Sequence, residues 1–162
     1  MAVDPAITRE ILRAELDAVR QYGRVHRWGT IPNFASLQVL VTLYAHNDDL
    51  YIIEITADDY KEMPPLLEFV DPHTGERGTP HAYPKGNDTF FHTSGPCICA
   101  PFNRKAYKSF VQTGPHNDWT YGDWMRSKAN NFDWSNVTTL ADMLGMIQSR
   151  LSQPAQYQGR MG

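Results

Sequence analysis

The strongest constraint on the fold is a pair of apolar segments separated by a polar turn. Residues 38–45 and 50–56 are rich in Val, Ile, Leu and Tyr, which favour β-strands. The sequence HNDD at 46–49 is typical of a turn, so the two segments predict an antiparallel hairpin. A third strand is predicted at 66–70, where two preceding prolines impose an extended backbone.

Two amphipathic helices are predicted, one before and one after these strands. Asp4 and Pro5 supply a cap and a first helical residue, and apolar residues then recur at helical spacing as far as Gly23. Thr139 and Asp142 resemble a capping box at the start of the second helix. The apolar stripe of that helix consists of Leu140, Met143, Leu144, Ile147 and Leu151.

The remaining segments are predicted to be mostly irregular. Residues 24–37 and 71–95 lack periodicity and predict loops, while a short helix is expected near 104–111. From about residue 153 we expect a loose tail. The order of helix, antiparallel strands, irregular segment and helix predicts an α+β fold in one domain over 1–162.

Composition excludes several classes of protein. The formal charge is −3 and no basic run exceeds two residues, which argues against nucleic-acid binding. No apolar run is long enough to span a membrane, and the N-terminus does not have the pattern of a signal peptide. Two cysteines do not make a disulfide framework. We therefore expect a cytoplasmic protein with no membrane partner.

Both cysteines lie in the segment FHTSGPCICAP at 91–101, which contains the main candidates for chemistry. In an extended chain Cys97 and Cys99 point to one face, and we expect that face to be exposed. One of them is a nucleophile in the first interpretation. In the second, both are small buried hydrophobes. The third is a metal site formed by Cys97, Cys99 and His92, with His81 or His116 as a further ligand.

Three motifs in order resemble those of ubiquitin-conjugating enzymes. The sequence YKEMPPLLEF at 60–69 resembles the family's Tyr-Pro-x-x-Pro-Pro-x-x-x-Phe signature, which also follows two strands. GPCICA at 95–100 looks like the Gly-x-Ile-Cys-Leu active-site segment, lengthened by one residue. WSNVTTL at 134–140, with its following helix and Pro154, is similar to the family's Trp-Ser-Pro stretch. The resemblance covers roughly residues 5–154 and implies a β-meander packed against helices.

The chain also departs from that family. Cys99 and Trp134 are separated by 34 residues, where a typical member has a short connection, so an insertion is expected at about 101–133. Phe91 stands where the His-Pro-Asn triplet supplies an oxyanion-binding Asn, with His92 and Asn87 as replacements. The usual acidic residue after the late helix is absent, with Gln156 and Gln158 in that region. These departures are similar to divergent bacterial members found in antiphage operons, including the short cyclic-oligonucleotide (CBASS) type.

The resemblance implies a conjugating enzyme that accepts an activated C-terminal carboxylate as a thioester and passes it to an amine. Cys99 is the implied nucleophile, with Cys97 as the alternative, and His92 is expected to hold the oxyanion or accept the amine's proton. The carboxylate comes from a ubiquitin-like protein or from the C-terminus of a nucleotidyltransferase. A separate activating enzyme uses the ATP, so no cofactor or metal is expected on this chain.

The sequence leaves several alternatives open. His92 is equally a loop histidine bonded to a backbone carbonyl, and Asp118 and Asp123 either assist acid–base chemistry or are merely solvated. Trp119, Trp124 and Phe132 are expected to form a small peripheral core beneath the insertion. The rival function is a non-catalytic binding module that has the same fold and presents a surface to a partner.

Overall fold

A computed structural model describes residues 2–128 and 132–162. Helix α1 spans Pro5–His26, and the Asp4 carboxylate accepts a hydrogen bond from Ala6 N at 2.9 Å, as a capping residue should. The predicted stop at Gly23 is wrong by three residues. A Cβ on Gly23 would lie 3.1 Å from the Cβ of Trp28, so the glycine allows Trp28 to pack closely against the helix.

Four antiparallel strands form the main sheet, and with the two α-helices they establish an α+β architecture. In order across the sheet these are β1 (Gly29–Asn33), β2 (Gln38–Tyr44), β3 (Leu50–Thr56) and β4 (Leu66–Val70). The predicted hairpin is confirmed by the β2–β3 register, in which Val41 lies opposite Ile53. Alternate residues of β2 and β3 are buried, so one face of the sheet supports the core.

Strand β1 corrects the prediction of a loop over residues 24–37. It contains Pro32 opposite Val39 and buries none of its residues. Proline is tolerated there because β1 is an edge strand, where a missing N–H need not interrupt the ladder. With a glycine, a proline and little burial, this segment lacks the alternation by which strands are recognised in a sequence.

Helix α2 spans Leu140–Ser152 and confirms the second predicted helix. Thr139 Oγ1 accepts a hydrogen bond from Asp142 N at 3.2 Å, and Asp142 Oδ2 accepts one from Thr139 N at 3.3 Å, which completes the capping box. The apolar stripe of α2 is buried against α1 and the sheet. Neither helix is long and apolar enough to cross a bilayer, as is true of every helix in the described residues.

The end of the chain is packed against the domain, which corrects the expected loose tail. Strand β8 (Tyr157–Arg160) pairs with β5 (Pro84–Gly86), a short strand in the otherwise irregular 71–95 region. Tyr157 is buried, and its hydroxyl lies 2.7 Å from that of Tyr51 in the main sheet. The sequence YQGR has too little apolar character to predict this strand, so its position depends on pairing and tyrosine contacts.

Part of the predicted insertion at 101–133 packs in the main core. Only a 3-10 turn, Arg104–Ala106, forms where a helix was predicted near 104–111. Trp124 is 1% exposed and stacks on Tyr60 with ring centroids 6.4 Å apart, so the expectation of a peripheral core is wrong for this residue. Trp119 is partly buried and Phe132 is 44% exposed, while residues 129–131 of the predicted insertion lie outside the described residues.

Candidate active site

A short hairpin presents the two cysteines. Strand β6 (Phe91–His92) pairs with β7 (Cys97–Ile98), with His92 opposite Cys97, and Gly95 in the turn has φ of +64°. That φ favours glycine, because a side chain there would be strained. Cys99 follows β7, and its backbone N–H donates to the carbonyl of Phe90 at 2.7 Å.

Both thiols are buried, which corrects the expectation that they share an exposed face. Cys97 is 1% exposed and Cys99 is 6% exposed, and Ile98 between them is also buried. Alternate residues share an exposed face only where one side of the strand is solvated. This hairpin instead contacts β4 on one side and the residues after Ala100 on another, so both of its faces are covered.

Burial makes both thiols weak acids. Desolvation raises the pKa of Cys97 to about 12, with the neighbouring Cys99 adding to the shift and Lys105 opposing it. Desolvation, with the negative charge of Asp88, raises the pKa of Cys99 to about 11. Each side chain is therefore a neutral thiol at pH 7, and a reaction at sulfur requires a group that removes the proton.

Such a group lies beside Cys99. The Sγ of Cys99 is 3.0 Å from Nε2 of His116, within hydrogen-bonding distance for sulfur. The other ring nitrogen of His116, Nδ1, is 3.7 Å from Oδ1 of Asp118, an ion-pair distance that is too long for a hydrogen bond. A nucleophile, an imidazole and a carboxylate in this order form the arrangement by which bases activate cysteines.

The ring of His116 is held in a fixed orientation. It stacks on Trp119 with centroids 3.5 Å apart and an interplanar angle of 5°. Its backbone N–H donates to the carbonyl of Ala106 at 3.1 Å, and its carbonyl accepts from Lys108 N at 2.9 Å. A Cβ on Gly114 would lie 2.5 Å from the carbonyl carbon of Tyr107, so glycine is required for the loop to approach this closely.

The electrostatics of His116 suit a proton acceptor. Burial lowers its pKa below the ordinary value of 6.5, and the carboxylate of Asp118 opposes this shift. The ring is therefore neutral at pH 7. A proton on Nδ1, on the side of Asp118, leaves the lone pair of Nε2 directed at the thiol.

His92 is not the histidine in contact with the thiol. Its Nδ1–H donates to the carbonyl of Ser94 at 2.8 Å, the contact expected for a structural loop histidine. When the ring is neutral, this tautomer leaves Nε2 as an acceptor, which cannot donate to an oxyanion. His92 still lies close enough for its charge to lower the pKa of His116. Its predicted role as a proton acceptor stays a prediction.

A cavity of about 300 Å³ opens at the cysteine. Arg150 of α2 forms an ion pair with Asp88 on its wall, and the Arg150 guanidinium lies 4.5 Å from the ring centroid of Phe90. The lining residues are Asp88, Thr89, Phe90, Cys99, Phe132, Trp134, Met146 and Arg150. A small acyl group fits this volume next to the sulfur.

Asn103 and Arg104 fix the cysteine segment to the sheet, and sequence reasoning missed both. The buried Asn103 amide donates to the carbonyl of Ile98 at 2.8 Å and accepts from Leu67 N of β4 at 3.0 Å. Arg104 is 4% exposed and donates to the carbonyl of Pro64 at 3.0 Å and to the carboxylate of Asp58 at 2.9 Å. Polar residues in a segment of no periodicity give no sequence signal of burial.

The other candidate residues form hydrogen bonds with other parts of the chain. Asp123 accepts from Thr120 and Arg126, which lower its pKa, and it is exposed. The Asn87 amide donates to the carbonyl of Ala155 at 2.8 Å, toward the C-terminal segment. In residues 2–128 and 132–162, no group of three or more His, Cys, Asp or Glu side chains is arranged to hold a metal ion.

Sequence reasoning named His116 only as a possible metal ligand and Asp118 only as one of two acidic candidates. Their spacing of two residues, followed by Trp119, is the one available signal, and it becomes informative only once the loop is folded against Cys99. Comparisons with protein-family models, with curated proteins and with solved structures find no match to this chain.

Proposed function

We propose that this protein is a cysteine-dependent acyltransferase of ubiquitin-conjugating-like fold, which forms a thioester on Cys99 and passes the acyl group to an amine. The observation that carries the proposal is the 3.0 Å approach of His116 Nε2 to Cys99 Sγ beside a cavity of about 300 Å³. The resemblance of three motifs to ubiquitin-conjugating enzymes supplies the reaction class.

In this proposal His116 removes the thiol proton as sulfur attacks the acyl carbon. A thiol with a pKa of about 11 is ionised to roughly one part in ten thousand at pH 7, so an uncatalysed attack is slow. A neutral imidazole within reach contributes about 10²- to 10⁴-fold to such a step. Asp118 acts as a positioning residue, because it favours the tautomer that accepts at Nε2.

The biological setting follows from the bacterial members that the sequence resembles. The acyl donor is then the C-terminus of a ubiquitin-like protein or of a nucleotidyltransferase in an antiviral defence operon. An activating enzyme would supply this carboxylate in reactive form, and the acceptor would be a lysine amine. His92 and Cys97 are secondary candidates, for proton transfer from the amine and for the nucleophile respectively.

The test is acylation by a peptide thioester, read by intact-protein mass spectrometry. We expect N-acetylglycylglycine benzyl thioester to add one acyl group at Cys99, removable by hydroxylamine. Cys99→Ala should not be acylated, while Cys97→Ala retains most of the rate. His116→Ala should be slowed at least about a hundredfold. His73→Ala is the matched control, because His73 is exposed and remote from the thiol in sequence.

The second candidate function is a non-catalytic binding module, and one observation favours it. Cys97 and Cys99 are 1% and 6% exposed, and the N–H of Cys99 is already bonded to Phe90 instead of being available to an oxyanion. If this function is correct, the wild-type protein stays unmodified with the thioester, and both thiols react with iodoacetamide only after unfolding.

A further inference from the structure

The pair formed by Cys99 and His116 includes an imidazole that can donate a proton to a leaving group, which thioester exchange does not require. When a thiol attacks a thioester, the departing thiol has a pKa of about 8.5 and leaves as a stable thiolate. An alcohol or an amine is a much poorer leaving group, because its anion is strongly basic and must take up a proton as it departs. An imidazole beside the nucleophile meets this second need.

We infer that Cys99 is acylated directly by an ester or an amide, without prior activation of the carboxylate, because His116 is placed to return the thiol proton to the leaving oxygen or nitrogen. This inference rests on the proposed function, since it requires Cys99 to be the nucleophile. It changes the class of acyl donor and removes the need for an activating enzyme and ATP.

The reaction balances with the groups present. The proton of Cys99 passes to His116 Nε2 as the bond between sulfur and the acyl carbon forms. The tetrahedral intermediate then breaks its carbon–oxygen or carbon–nitrogen bond, and Nε2 gives the proton to the departing atom. The products are a thioester on Cys99 and a neutral alcohol or amine. In transfer, the acceptor amine attacks the thioester and its proton passes through Nε2 to the departing sulfur.

The geometry of His116 is suited to both proton transfers. The leaving atom is bonded to the same carbon that sulfur attacks, so an intermediate with this atom on the imidazole side brings it within hydrogen-bonding reach of Nε2. Stacking on Trp119 and two backbone hydrogen bonds hold the ring in that orientation. The side chain is 20% exposed, which limits exchange of the transferred proton with water.

Burial supports the same assignment in a separate way. It lowers the pKa of His116, so the imidazolium formed after the first transfer is a stronger acid than a solvated histidine. Asp118 moderates this shift by stabilising the cation. A base that readily releases its proton suits a reaction in which that proton must be passed on.

The experiment compares two acyl donors with one acyl group, N-acetylglycylglycine benzyl thioester and the corresponding ethyl ester. Purified protein is used without ATP or any other enzyme, and acylation is followed by intact mass at saturating donor. We expect the wild type to be acylated by both compounds. His116→Ala should lose at least about tenfold more rate with the ester than with the thioester, since only the ester needs the returned proton.

The pH dependence separates this role from a structural one. Between pH 7 and 9, acylation of His116→Ala by the thioester should rise about tenfold per unit as more thiol ionises, because its pKa is about 11. The ester reaction should rise with the same slope but stay at least about tenfold further below the wild type at each pH, since no acid protonates the ethoxide. His116→Gln, which keeps a planar side chain to contact Trp119, should behave as His116→Ala does.

Two results overturn the inference. If the wild type reacts with the thioester and not with the ester, or if His116→Ala loses the same factor with both, then Cys99 requires an activated donor and the proposed function stands alone. If neither compound acylates Cys99 in folded wild-type protein, the proposed function fails together with the inference.

Discussion

Replacing Asn103 with alanine should remove a large part of the stability of this domain. The amide is buried, and it joins β4 to the cysteine segment by accepting from Leu67 N and donating to the carbonyl of Ile98. It also accepts from Lys105 N at 3.2 Å. Asn103→Ala removes the acceptor of the buried Leu67 N–H, while the Ile98 carbonyl loses one of two donors and keeps Ala100 N at 3.1 Å.

The expected magnitude follows from those two groups. An unpaired buried Leu67 N–H costs about 1–3 kcal/mol and the lost bond to Ile98 about 0.5–1.5 kcal/mol, so Asn103→Ala should lower the free energy of unfolding by about 1.5–4.5 kcal/mol. A domain of this size has about 5–15 kcal/mol in total. The assay is urea unfolding followed by tryptophan fluorescence. Asn33→Ala is the matched control, because exposed Asn33 accepts a single bond from Ser36 N, and it should cost under about 1 kcal/mol.

A second substitution tests the reason for the loss. Asn103→Asp keeps an oxygen for Leu67 N but donates to Ile98 only when the introduced carboxyl is protonated. The difference in unfolding free energy between this variant and the wild type should therefore shrink as the pH falls. The explanation is refuted if Asn103→Ala costs less than about 1 kcal/mol, the same as Asn33→Ala.

Three further predictions concern the thiols and the insertion. Burial raises the pKa of Cys97 and Cys99 from 9.0 to about 12 and about 11. The contribution of the two neutral thiols to the free energy of unfolding is therefore complete below pH 9. Above pH 9, and as far as the folded pKa, it falls by about 1.4 kcal/mol per pH unit for each thiol. Urea unfolding at pH 8 and 10 should show this loss, and a double alanine variant should lose about 1.4 kcal/mol per thiol less, the remainder coming from buried tyrosines whose pKa values are also raised. Gly114→Ala should reduce the rate at which the thioester probe acylates Cys99 by at least about tenfold, with secondary structure retained. The added Cβ collides with the backbone of Tyr107 and shifts the loop that carries His116. An unchanged rate contradicts this prediction. Deletion of residues 104–128 should abolish cooperative thermal unfolding, because Trp124 is in the core. A sharp unfolding transition in the deletion variant would instead show that this segment is peripheral.

The elements with strong periodicity could be predicted from the sequence. Strands β2 and β3 alternate buried and partly buried residues along their whole length, and the capping box defines the start of α2. Strands β1 and β8 could not be predicted, because edge pairing and tyrosine contacts stabilise segments that contain glycine, proline and polar residues.

The candidate site divides in the same way. The proposed nucleophile, Cys99, could be named from the sequence because it lies in a short local motif. The proposed base, His116, could not be named, because it reaches the thiol through a loop whose path depends on Gly114, Trp119 and the Tyr107 backbone. The burial of both thiols was missed for a related reason. Alternation of residues predicts exposure for a strand with one solvated face, and it does not predict exposure for a hairpin that is covered on both sides.

The two borders of the main sheet are closed to further strands by different means. On the β1 side, Pro32 removes one backbone donor from the border. On the β4 side, the chain covers its own border, since Arg104 N donates to Pro65 O, Gly78 N donates to Phe69 O, and Asn103 occupies Leu67 N. A second molecule therefore finds no continuous row of free backbone groups along β4. Loss of the Asn103 side chain would free the Leu67 N–H next to an apolar strand, so the residue that fixes the cysteine segment also helps to protect this border from pairing with a second molecule.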